Sequence, residues 1–125
     1  MYFSLNQKYF SIEKMFRGRI YVLYSDAVLN NGQYMYYIGS TKKDILERLY
    51  QHKKEFKCYT NGHQRFKSSF TILQKDNNPY IDVLEENDFE TTQNLNHVEA
   101  LWLHHYLENN TCLNRQVPRI INYPT

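Results

Sequence analysis

The chain is poor in the residues that mark specialised protein classes. Its 125 residues contain only two cysteines, Cys58 and Cys112. They are not spaced as a metal-binding pair, and one bridge between them is the most they allow. Four glycines and three prolines leave no Gly- or Pro-rich linker, repeat or low-complexity tract, so the length fits one compact domain. No run approaches the ~20 apolar residues of a membrane span. The opening segment MYFSLNQKYFSIEKMF lacks the charged start and unbroken apolar stretch of a signal peptide, so an intracellular protein with no membrane partner is expected. Between Asp76 and Asn110 there is no Lys or Arg at all, against eight acids.

What is present is aromatic and asymmetrically charged. Twelve Tyr and seven Phe accompany a 42% apolar content, enough for a core, with rings to spare for stacking. Net charge is only +2, yet Lys42–Lys75 holds nine Lys and Arg against three acids. A basic face suited to a polyanion and an acidic face elsewhere follow from that division. Lys42, Lys43, Lys53, Lys57, Arg65 and Lys67 are the expected nucleic-acid contacts; a merely solvated surface accounts for the same counts.

Periodicity predicts a small α+β fold. Tyr2, Leu5, Tyr9, Ile12 and Phe16 recur at helical spacing, so residues 1–17 read as an aromatic extension packed on a body formed by residues 18–125. Arg19–Ser25 and Gln33–Ile38 are strand-rich runs around the turn signal Asn30-Asn31-Gly32, a hairpin with a loop longer than two residues. Thr41 is the expected cap of a helix over Lys43–Phe56, with Asp44 three residues on. Cys58–Gln64 reads as polar loop, Arg65–Gln74 as either helix or extended chain, and Pro79–Glu86 as a third strand. Asn96 is the expected cap of a last helix over His97–Glu108. The order gives a central, mainly antiparallel three-stranded sheet flanked by helices.

Several of these residues carry chemistry. Arg48 and His52 share a helix face at i, i+4; a surface ion pair from Arg48 to Asp44 is the plain alternative. Glu99 sits beside Leu95, Trp102, Leu103 and Tyr106 on the last helix. A carboxylate at the border of an apolar stripe needs a cation, a proton or hydrogen-bond donors. His97, His104, His105 and Cys112 do not read as zinc ligands, because His104 and His105 point ~100° apart on a helix.

Arg19-Ile20-Tyr21 and Tyr37-Ile38-Gly39 resemble the two tripeptides that name the GIY-YIG nucleases. Arg19 stands where the first tripeptide has Gly, and Gly18-Arg19-Ile20-Tyr21 is similar to the Gly-Lys-Ile-Tyr variant of many members. Arg48, His52, Glu99 and Asn114 follow in the family's order, so the resemblance covers about residues 18–119. It implies a metal-dependent endonuclease that hydrolyses phosphodiester bonds, with DNA the expected polymer, leaving 5′-phosphate and 3′-hydroxyl ends. It also implies roles. Glu99 would hold one Mg²⁺ or Mn²⁺, and Arg48 would clamp the scissile phosphate. Tyr21 would act as general base with Tyr37 in support, His52 would be the second proton-handling group, and Asn114 would position a phosphate or a catalytic side chain. Two other readings stand beside this one: a silent nucleic-acid-binding module, and a nuclease subunit active only with a targeting partner. Residues 1–17 would offer the surface for that partner or for a homodimer.

Overall fold

A computed structural model describes residues 15–28 and 34–109. The residue 1–14 part of the predicted aromatic helix, the hairpin turn at 30–32, and Asn114 with the tail lie outside them. Strand β1 (Phe16–Val28) is followed by β2 (Tyr34–Thr41), helix α1 (Ile45–Thr60), short helix α2 (Phe70–Lys75), β3 (Tyr80–Phe89) and α3 (Thr92–Asn109). The strands form one antiparallel sheet in the order β2-β1-β3. This is the expected α+β architecture, with β1 in the middle of the sheet.

Alternation along β1 divides the core between the two faces of the sheet. Ile20 and Val22 turn toward α3, where they pack with Ile38, Phe89, Leu95 and Leu103. Tyr21 and Leu23 turn the other way, onto Met35, Ile72, Ile45 and Leu49 beneath α1 and α2. Burying each large apolar side chain contributes about 1.5–3 kcal/mol, so the two layers together outweigh any single polar contact in the domain. A β-bulge interrupts the β1–β3 ladder between Ile20 and Tyr21, whose partners are Glu85 and Val83. The extra residue, Leu84, switches the alternation of β3. Phe89 can therefore face α3 while Ile81, eight positions earlier, faces the opposite layer.

Several sequence expectations are corrected. Phe16 opens β1 rather than closing a helix, and β1 runs three residues beyond Ser25. Thr41 ends β2, and its hydroxyl accepts from the Lys43 amide. The cap of α1 is Asp44, whose carboxylate accepts from the Leu46 amide at 3.0 Å. Residues 70–75 are helical and 65–67 are not. Helix α3 begins at Thr92, four residues before the expected cap. Thr91 does the capping, its hydroxyl accepting from the Asn94 amide at 3.0 Å, and Asn96 is an exposed interior position. Local sequence favours Asn as a cap, but packing Leu95 against Gly18 and Phe89 extends the helix past it. Thr91→Ala is expected to cost about 1 kcal/mol of unfolding free energy. Asn96→Ala should be neutral or stabilise by a few tenths of a kcal/mol, the helix-propensity difference; chemical denaturation of both variants checks the assignment.

Candidate active site

The site forms where the β1–β2 ladder meets α1. Tyr21 in β1 is paired with Gly39 in β2, and its phenol lies across the space above that glycine. A Cβ on residue 39 would stand 2.5 Å from Tyr21 Cζ and 3.0 Å from Cε2. Only glycine leaves room for the ring there. The need is spatial, since Gly39 does not have a positive φ.

Helix α1 covers the phenol. Arg48 and His52, one turn apart, both reach Tyr21. Arg48 Nε donates to the Tyr21 oxygen at 3.1 Å, and His52 Nε2 lies 2.7 Å from the same oxygen. A guanidinium only donates, so the Tyr21 oxygen accepts from Arg48, and among the described residues His52 Nε2 is the one other partner in place to take the phenol's proton. That places the imidazole proton on Nδ1, which is buried and has no hydrogen-bond partner among the described residues. Tyr37, two residues before Gly39 on the same strand face, packs edge-on against the His52 ring at 5.8 Å. Arg48 is thus committed to Tyr21, while the carboxylate of Asp44, the alternative partner, caps the helix.

Glu99 approaches from α3, on the other side of the sheet. Its Oε1 accepts from the Ser40 hydroxyl at 2.5 Å, and Ser40 adjoins Gly39 at the outer edge of the sheet. Glu99 is close enough to interact electrostatically with Tyr21 and Arg48. Two phenols, a guanidinium and an imidazole therefore cluster on the α1 side of residues 37–40 of β2, and the Glu99 carboxylate reaches the same stretch from the α3 side.

Burial sets the protonation states. The Tyr21 hydroxyl is pushed above its ordinary value by burial first; Arg48 opposes this, and Tyr37 and Glu99 add to it. A resting phenolate is excluded at neutral pH. His52 is lowered to about 3 by burial, then by Arg48 and Lys67, so it is neutral. Glu99 is raised by burial, and the Ser40 hydrogen bond and Arg48 pull it back only in part.

The basic residues divide. Lys67 stands near enough to depress His52, and it pairs with Glu55 at 3.1 Å. Lys42 is exposed and lies 4.2 Å above the Phe16 ring, and exposed Lys43 gives its carbonyl to Arg19. Lys53 is five residues past Arg48, about 140° round the helix, and its ammonium bonds Asn78 at 2.9 Å. Lys57 and Arg65 are exposed and touch none of the converging groups in any described contact. Sequence reasoning missed Ser40 and the spatial task of Gly39. The strand period could have found Ser40, because residues 38 and 40 face α3 together.

The donor set suits a hard divalent cation. One carboxylate, half-buried, with one oxygen tied and its charge poorly compensated, fits Mg²⁺ or Mn²⁺ carrying most of its shell as water and phosphate. Among the described residues no group of three or more His, Cys, Asp or Glu is placed to hold a metal ion, and a cation at this site would meet Glu99 as a single carboxylate. Among the same residues, no helix is long and apolar enough to cross a membrane. Comparison with family models, curated proteins and solved structures found no match.

His52 makes a stability prediction. An unfolded histidine protonates near 6.5 and the folded one only near 3, so between those values the unfolded chain binds the extra proton. Stability from this group is fully present above pH 6.5 and is lost as pH falls toward 3. In His52→Gln, which keeps an acceptor for the Tyr21 hydroxyl, the fall in Tm between pH 6.5 and 4 should be shallower than in wild type. Equal slopes would mean that His52 does not stay neutral on folding. Gly39→Ala should destabilise by about 1–3 kcal/mol through overpacking, and it should broaden or shift the Tyr21 ring resonances.

Proposed function

We propose that the protein is a GIY-YIG-type endonuclease that hydrolyses phosphodiester bonds in nucleic acid, DNA being the expected substrate. The observation that carries this reading is the Tyr21 hydroxyl. It is enclosed between Arg48 and His52 and electrostatically coupled to a half-buried carboxylate on a different helix. A silent binding module has no use for that carboxylate, since burying it is costly and its negative charge would repel a polyanion. The partner-dependent subunit is a variant of the same chemistry, and its partner segment, residues 1–17, falls almost wholly outside the described residues.

Phosphodiester hydrolysis needs a deprotonated water, charge neutralisation at the phosphoryl oxygens and help for the departing oxygen. Arg48 spends only Nε on Tyr21, leaving its terminal donors to grip a phosphate in planar, permanently charged geometry. Tyr21 is protonated and enclosed at rest, so it serves as a relay once the attacking water has entered beside Arg48 and reached its oxygen: that oxygen takes a proton from the water while its own proton passes to His52 Nε2, 2.7 Å away. Arg48 is among the groups that hold His52 low. A phosphate bound to Arg48 offsets that cation, so His52 becomes a better acceptor only when substrate is in place. Tyr37, packed against His52, holds the imidazole orientation. A divalent cation on Glu99 would supply positive charge against the charge developing on the phosphate and the leaving oxygen.

The test is cleavage of supercoiled, branched and single-stranded substrates with Mg²⁺ and with chelator. Chelation and Glu99→Ala should each abolish cleavage while substrate binding survives. Arg48→Ala should lower the rate by about 100-fold or more, the usual cost of removing transition-state charge stabilisation. Undiminished cleavage by Glu99→Ala would end this assignment.

A further inference from the structure

Glu99 does not meet its surroundings symmetrically. Oε1 is occupied by the Ser40 hydroxyl, and among the described residues Oε2 accepts no hydrogen bond. Ser40 is itself fixed, because it lies in the paired part of β2 opposite Ile20, next to the Gly39 position that the Tyr21 phenol requires. One short stretch of strand therefore sets the phenol on one side and the carboxylate orientation on the other.

We infer that Ser40 is a positioning residue that confines Glu99 to single-oxygen coordination of its cation, and so makes the site select Mg²⁺ or Mn²⁺ over Ca²⁺. The inference rests on the nuclease reading above. The reason is geometric. Ca²⁺ accepts six to eight oxygens at ~2.3–2.6 Å and takes carboxylates through both oxygens, whereas Mg²⁺ requires a near-octahedral shell at ~2.0–2.1 Å, filled largely by water. A hydroxyl held on Oε1 withdraws the second oxygen that the larger ion would use. It also fixes the direction of Oε2, so the smaller ion loses no carboxylate freedom on binding. A hydrogen bond that only stabilised the fold would leave the ratio of the two cation affinities unchanged.

The measurement is Mn²⁺ broadening of the Ser40 and Glu99 amide resonances in the full chain, reversed by titrating Mg²⁺ or Ca²⁺. In Ser40→Ala the ratio of the Ca²⁺ to Mg²⁺ displacement constants should fall about tenfold, in the range lost when an outer-shell partner is removed. Ser40→Thr, which keeps the hydroxyl, should retain the wild-type ratio. Ser40→Cys, with a weaker donor, should lie between, and it carries the test if the alanine variant does not fold. Ca²⁺ should also inhibit cleavage by Ser40→Ala more strongly than cleavage by wild type. A wild-type ratio in both the alanine and cysteine variants overturns the role of Ser40 and leaves Glu99 as cation ligand untouched. Broadening that is absent in wild type, or equal in wild type and Glu99→Gln, removes the cation site and this inference with it.

Discussion

The arrangement depends on one phenol buried where the neighbouring strand has no side chain. Tyr21 crosses Gly39 and brings its hydroxyl, still polar and fully enclosed, beneath α1. A buried hydroxyl without partners is costly, so the residues over it must supply a donor and an acceptor. Arg48 and His52 do both from consecutive turns of one helix. This constraint fixes the rotation of α1, the placing of β2 against β1 and the protonation of the imidazole together. Loss of any one of Gly39, Arg48 or His52 leaves the others without their geometric reason.

The same burial places strain on the electrostatics. Tyr21 is held protonated, His52 is held neutral and Glu99 is raised, each with desolvation as the first cause. Among the described residues the His52 Nδ1 nitrogen has no hydrogen-bond partner. Such features oppose folding, and in a small domain they persist only where apolar packing on both sheet faces offsets them. Under the nuclease reading proposed above, a cation at Glu99 would offset the buried carboxylate and an anion at Arg48 would offset the cation that holds His52 low.

Charge is partitioned along the sheet. The acids of β3 are partly consumed by β1 and α3: Glu86 and Asp88 bind Arg17, Glu86 also binds Arg19, and Glu85 accepts from Trp102. Arg19, the departure from the first tripeptide, is used in tying β1 to β3 and to the Lys43 carbonyl. Of the basic side chains, Lys67 acts on His52, while Lys42 lies over the Phe16 ring and Lys53 binds Asn78.

The sequence by itself determined the order of the three strands and the two long helices, the antiparallel hairpin and the i, i+4 relation of Arg48 to His52. Those features are local: alternation, turn residues and helical period act over a few positions. It also singled out Glu99, because a carboxylate beside an apolar stripe is anomalous whatever lies opposite. Helix starts at Asp44 and Thr91 were misplaced, since the propensities of Thr41 and Asn96 gave way to strand pairing and to the packing of Leu95. Only the tertiary structure decided that Ser40 holds Glu99, that Gly39 is required by a ring rather than by a turn, and that a bulge at Leu84 reverses the faces of β3. Each of these joins residues 18 to 65 positions apart, or counts one residue more on one strand than on its partner, and no window along a single chain carries that information.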